Sequence, residues 1–139
     1  MTLIVDASVA AKWYLAEADS DLAQQLVEAG HDLIAPELLL AEVANTFFKA
    51  WSRGAIDDIH MDRSLAALPT VFSSLWPIAD LVADAMVISR ILHHPVYDCL
   101  YLALAWRTGA RVVTADERFV EKARASAWDT FLLHLRDAV

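Results

Sequence analysis

The chain has 139 residues, 58% of them hydrophobic, and a formal net charge of -8. That length and apolar content fit one domain over residues 1–139 with a good-sized core, and three Gly and four Pro leave little room for linkers. The acidic balance argues against gripping nucleic acid by bulk electrostatics, no apolar run reaches the ~20 residues that span a bilayer, and the lone cysteine, Cys99, excludes an internal disulfide.

Leu3-Ile4-Val5 has the pattern of a strand buried on both faces, and it stops on Asp6. In a parallel sheet that carboxylate stands at the carboxyl end of the strand, the edge where open α/β sheets bind ligands. A first helix is expected over Ala7–Ala16, and a second from the caps Asp19-Ser20-Asp21 to Gly30. Leu33-Ile34-Ala35 is a second short apolar run, with Pro36 suited to the first position of a third helix. That helix carries Glu37, Glu42, Asn45 and Lys49 and ends at Gly54; a fourth starts in Asp57–Asp62 and stops near Pro69.

Thr70–Trp76 reads as a third strand closed by Pro77, and Ile78–Leu92 as a helix broken by His93-His94-Pro95. Tyr97–Thr108 is a strongly apolar helix ended by Gly109. Arg111–Thr114 is a fourth strand, Asp116 is placed to cap a helix to about Ala125, and Thr130–Leu133 is a last short strand before the tail. Strands alternating with helices give an α/β fold, a three-layer α/β/α domain with a central parallel sheet of four to five strands.

Four acids stand where solvation does not account for them: Asp6 at a strand end, Glu42 within an apolar helical stretch, Asp98 at the start of the most apolar helix, and Asp116 after the fourth strand. Each has a simpler explanation alone. Asp6 and Asp116 serve as helix N-caps, Asp98 as a first-turn acid favoured by the helix dipole, and Glu42 as part of a solvated stripe with Lys49. Together they converge on one edge of the sheet, where like charges raise one another's pKa values and a divalent cation with oxygen ligands, Mg²⁺ or Mn²⁺, would offset the repulsion. Nothing in the cysteine and histidine spacing favours zinc.

Four segments resemble the motifs of PIN-domain ribonucleases, and among them the VapC-type toxins: Val5-Asp6-Ala7-Ser8, Glu42-Val43-Ala44-Asn45, Tyr97-Asp98-Cys99-Leu100-Tyr101-Leu102-Ala103-Leu104-Ala105, and Thr114-Ala115-Asp116-Glu117-Arg118-Phe119. The resemblance covers the whole chain in order. It implies that Asp6, Glu42, Asp98 and Asp116 are the catalytic, metal-binding acids. Ser8, Asn45 and Thr114 match supporting positions that orient a carboxylate or a bound water. It further implies a Mg²⁺- or Mn²⁺-dependent endoribonuclease, an RNA substrate, a cognate VapB-like antitoxin peptide and a homodimer, with no role at a membrane. The single cysteine and the early Asp6 fit a cytoplasmic setting without a secretory leader.

Two other classes are weighed against this one. A phosphatase or phosphotransfer domain of another α/β type wants a second acid two residues after the strand-end Asp, where Ser8 stands, and the chain has no phosphate-cradling glycine loop. A catalytically inert PIN-fold binding module gains nothing from clustered acids. Among the remaining residues, Arg118 and Lys122 are candidate phosphate contacts or plain solvated charges, His93-His94 complements a helix dipole, and the five tryptophans are mostly core or interface.

Overall fold

The computed structural model describes residues 1–139. Five parallel strands, β1 (Thr2–Val5), β2 (Asp32–Pro36), β3 (Ser74–Trp76), β4 (Arg111–Thr114) and β5 (Leu132–His134), form one sheet in the order β3-β2-β1-β4-β5. The central strand reads as its composition demands: Ile4 and Val5 are fully buried, flanked by Ile34 on β2 and by Val112 and Val113 on β4. A strand covered on both faces cannot alternate, which is why these runs are continuously apolar.

Eight helices connect and flank the strands: α1 (Ala7–Ala10), α2 (Ser20–Glu28), α3 (Leu38–Ser52), α4 (Asp58–Ala67), α5 (Val82–Leu92), α6 (Val96–Thr108), α7 (Glu117–Arg124) and α8 (Leu135–Ala138). Right-handed crossovers place the β1–β2 and β2–β3 connections on one face and the β3–β4 and β4–β5 connections on the other, giving the three layers. Helix α6 lies centrally, touching β1, β2 and β4, and every residue from Cys99 to Ala105 is buried. It is therefore apolar all round rather than amphipathic.

Several expected boundaries move, each for a physical reason. The first helix stops at Ala10 and tightens into a 3₁₀ turn, Ala11–Trp13. There Trp13 donates Nε1–H to the Ala23 carbonyl at 2.9 Å and packs on Phe72, so tertiary contact overrides local helix continuation. Pro36 closes β2 instead of opening α3, because the Glu37 N–H supplies the bond to the Trp76 carbonyl that proline lacks.

The third strand is only Ser74–Trp76, since Leu68–Val71 wind into a 3₁₀ turn around Pro69; Ile78–Asp80 do the same before α5. A 3₁₀ turn over Ala127–Phe131 shifts the last strand to Leu132–His134, and the expected tail is α8, anchored by the fully buried Leu135. Of the five tryptophans, Trp13, Trp76 and Trp128 pack against the core while partly exposed, whereas Trp51 and Trp106 are 40% and 63% exposed. No helix is long and apolar enough to cross a membrane.

Candidate active site

The strand order reverses between β1 and β4, so the crevice at their carboxyl ends is the topological switch point of the sheet. Asp6 follows β1 there, and Thr114 ends β4 with Asp116 two residues on. Glu42 enters from α3 and Asp98 from the first turn of α6. A cleft of about 320 Å³ is lined by Asp6, Ala7, Ser8, Glu42, Asn45, Thr46, Asp98 and Asp116. All four acids singled out from the sequence line it, with Ser8 and Asn45; no lysine or arginine does.

Asp6 is the buried member, 5% exposed. Its Oδ1 accepts the Ala7 N–H at 2.8 Å, and its Oδ2 accepts the Ser8 hydroxyl at 2.7 Å and the Thr114 hydroxyl at 2.8 Å. Each hydroxyl has one proton, so with both given to Asp6 their oxygens are free to accept. Ser8 Oγ takes the Ala115 N–H at 3.0 Å and Thr114 Oγ1 the Asp116 N–H at 3.1 Å. One carboxylate thereby locks the β1–α1 and β4–α7 turns together. Burial pushes the Asp6 carboxyl up to about 6; the Ser8 and Thr114 hydroxyls work against that rise, and the charge of Asp98 adds to it.

Glu42 sits across the cleft, half-buried, and its Oε1 accepts the hydroxyl of the fully buried Tyr101 at 2.7 Å. Burial raises Glu42 to about 7; the Tyr101 bond lowers it, and Asp6 and Asp98 raise it further. Tyr101 itself is pushed well above its ordinary range by burial and by the two acids, so its hydroxyl stays a donor. Asp98 accepts from His94 Nε2 at 2.6 Å, and a carboxylate only accepts, so Nε2 carries the proton. Asp116 caps α7 through the Arg118 and Phe119 N–H groups at 2.9 and 3.3 Å. The capping role expected of Asp6 and Asp116 taken singly is real, and it coexists with their place on the cleft wall.

The donor set suits a hard divalent cation: four carboxylates, the Asn45 amide and the Ser8 and Thr46 hydroxyls, with no lysine or arginine to neutralise them. As the side chains stand, no three acids, imidazoles or thiols are drawn together tightly enough to hold an ion. Two of the acids are instead held by groups whose role the sequence reading did not assign. In the sequence Tyr101 stands out only as part of a motif. His94 was assigned to a helix dipole, whereas its ring nitrogen is committed to Asp98; the spacing of four between them was the available signal. Asn45 lines the cleft while staying exposed, and Arg118 and Lys122 are exposed on α7.

Comparison with known proteins bears on this geometry. The family model described as PIN domain matches residues 3–125. Ribonuclease VapC3 of Pyrobaculum aerophilum is 32% identical over 124 residues, covering 88% of this chain and 95% of that protein. Among solved structures, a Pyrobaculum aerophilum protein superposes with a TM-score of 0.71 at 20% identity, covering 98% of this chain and 90% of the other. A toxin-antitoxin complex from Klebsiella pneumoniae contains a chain with a TM-score of 0.70 at 14% identity, covering 96% and 97%. The two structural likenesses speak to the fold.

Proposed function

The chain belongs to the PIN domain family, and from that premise we propose that it is a divalent-metal-dependent endoribonuclease acting as the toxin of a toxin–antitoxin pair. The observation that carries the reading is the cleft at the switch point, lined by Asp6, Glu42, Asp98 and Asp116 and by no lysine or arginine. The relative named Ribonuclease VapC3 supports RNA as the substrate, and the toxin-antitoxin title of a structural neighbour supports the partner.

In this mechanism Asp6, Glu42, Asp98 and Asp116 would hold Mg²⁺ or Mn²⁺. When bound, the ion supplies Lewis acidity and an activated water for in-line attack on a phosphodiester. The chain's own groups do the positioning. The Ser8 and Thr114 hydroxyls occupy Oδ2 of Asp6 and the Ala7 N–H one lone pair of Oδ1, so that the other Oδ1 lone pair is free of protein donors. Tyr101 fixes one oxygen of Glu42 and leaves the other available. Raised proton affinities at Asp6 and Glu42 reduce the repulsion among the acids, and both acids would have to lose their protons to hold a cation. A phosphotransfer chemistry at Asp6 lacks its second acid, since Ser8 stands there with its hydroxyl committed to Asp6 and Ala115.

Exposed apolar side chains support protein partners. On α3 and α4 these are Phe48 (55% exposed), Trp51, Ile59 and Leu65; on α5 and α6 they are Val82, Met86, Val87, Ile91, Tyr97 and Trp106. Surfaces of this kind fit a homodimer and an antitoxin segment laid near the acids.

The test is cleavage of an RNA mixture containing structured tRNA by the wild type and by Asp98→Asn, each with Mg²⁺, with Mn²⁺ and with EDTA. Cutting that needs the ion and vanishes in the variant is expected, as is growth arrest on expression that the variant relieves. Equal cutting by both proteins contradicts the reading.

A further inference from the structure

The elbow between α5 and α6 carries a histidine whose placement the four-acid reading does not use. His93 turns the chain through the left-handed region at φ 52°, and Pro95, extended at ψ 145°, starts the next helix. Between them the backbone of His94 is pinned on both sides. Its N–H donates to the Ser89 carbonyl at 3.1 Å, and its carbonyl accepts the Ser89 hydroxyl and, at 3.9 Å, the Cys99 thiol. The imidazole is then stacked on Phe119, with ring centroids 5.4 Å apart and planes 7° from parallel. Phe119 is fully buried and gives its own N–H to Asp116 Oδ1 at 3.3 Å. One aromatic ring thus backs two of the acids, Asp116 through its amide and Asp98 through the histidine lying on it.

We propose that His94 is a positioning residue for the cation site, clamping Asp98 through the 2.6 Å contact between Nε2 and Oδ2 so that the carboxylate offers a ligand through Oδ1. The inference rests on the metal-binding reading of the cleft. The physical argument is rotational. A carboxylate in the first turn of a helix, partly exposed, turns freely about its side-chain bonds, and ordering it on binding costs conformational entropy. A ring held by stacking, on a backbone pinned by three hydrogen bonds, removes that freedom before the ion arrives. No hydrogen bond engages Oδ1, whereas Oδ2 is committed to the imidazole, so the clamp also sets which oxygen faces a ligand. His94 touches neither substrate nor ion in this scheme.

The test measures Mn²⁺ binding by calorimetry on the wild type, on His94→Gln, which keeps an N–H donor, and on His94→Phe, which keeps the ring stack. Asp98→Asn is the control, and metal-free melting temperatures show which variants fold. His94→Phe is expected to bind Mn²⁺ about 10- to 100-fold more weakly, the range for removing an outer partner of a metal ligand, while melting like the wild type. His94→Gln recovers most of the affinity. Wild-type affinity in His94→Phe, beside lost affinity in Asp98→Asn, overturns the clamp and leaves the metal reading intact. No Mn²⁺ binding by the wild type overturns both.

Discussion

The two walls of the cleft hold their acids in different ways. On the strand side, Asp6 is almost completely buried and receives three hydrogen bonds, all from groups beside it in the sequence or on the adjoining strand. On the helix side, Glu42 and Asp98 are only partly buried and each receives one bond, from Tyr101 and His94. The strand wall is finished by folding itself, because the hydroxyls that hold Asp6 also close the two turns flanking it. The helix wall leaves one oxygen of each acid free of protein partners. That division fits a site with one acid tied by three bonds and two acids each tied through a single oxygen.

The largest expected effect is on the helix side. Glu42→Gln keeps an acceptor for Tyr101 but cannot be a charged ligand. It is expected to lower metal-dependent RNA cleavage by about a thousandfold, roughly 4 kcal/mol in the barrier, while the metal-free protein melts no lower than the wild type. A drop in metal-free melting temperature matching the loss of activity would mean that Glu42 is held for structure.

The pH dependence follows next. In the metal-free protein Asp6 is raised from 3.8 to about 6 and Glu42 from 4.5 to about 7. The unfolded chain therefore releases these protons at lower pH than the folded one, and over that interval the folded state binds more of them. Stability is fully present below about pH 4 and falls as pH rises to about 7, by on the order of 3 kcal/mol for Asp6 alone. Urea titrations from pH 4 to 8 check this, with Glu42→Gln showing a shallower decline. Mn²⁺ affinity runs the opposite way and climbs with pH through the same interval. A metal-free protein that gains stability from pH 5 to 8 would contradict the assignment.

Thr114→Val probes the strand wall. It removes one donor to Asp6 and orphans the Asp116 N–H, and is expected to cost about 2 kcal/mol in denaturant unfolding. Tyr101→Phe, on the other wall, removes one bond to a carboxylate that still reaches water. It is expected to cost about 1 kcal/mol in stability and to act mainly on Mn²⁺ affinity. The reverse order would dissolve the contrast between the walls.

Much of this arrangement was legible in the sequence because local rules and the global fold agree. A continuous apolar run ending in Asp6 and another ending in Thr114 before Asp116 locate both strand ends, and parallel strands with helical crossovers bring those ends to one edge. Ser8 lies two residues from Asp6, so its support could be read from the motif. The sequence gives no hint of the role of Tyr101, because its partner Glu42 lies on another helix and no spacing rule connects them. His94 was assigned to a helix dipole, because the elbow at His93 and the stack on Phe119 are tertiary facts. The first helix is shorter than its sequence pattern predicts for the same reason: Trp13 leaves helical geometry to reach α2.

The central claim is that the four acids form one cation site. Anomalous diffraction from crystals soaked in Mn²⁺ places the ion without reference to any substrate. The account predicts a peak in the cleft within coordination distance of Asp6 and Asp98, absent in Asp98→Asn crystals. A soaked crystal with no peak in that cleft, or with its peak elsewhere on the molecule, would contradict it.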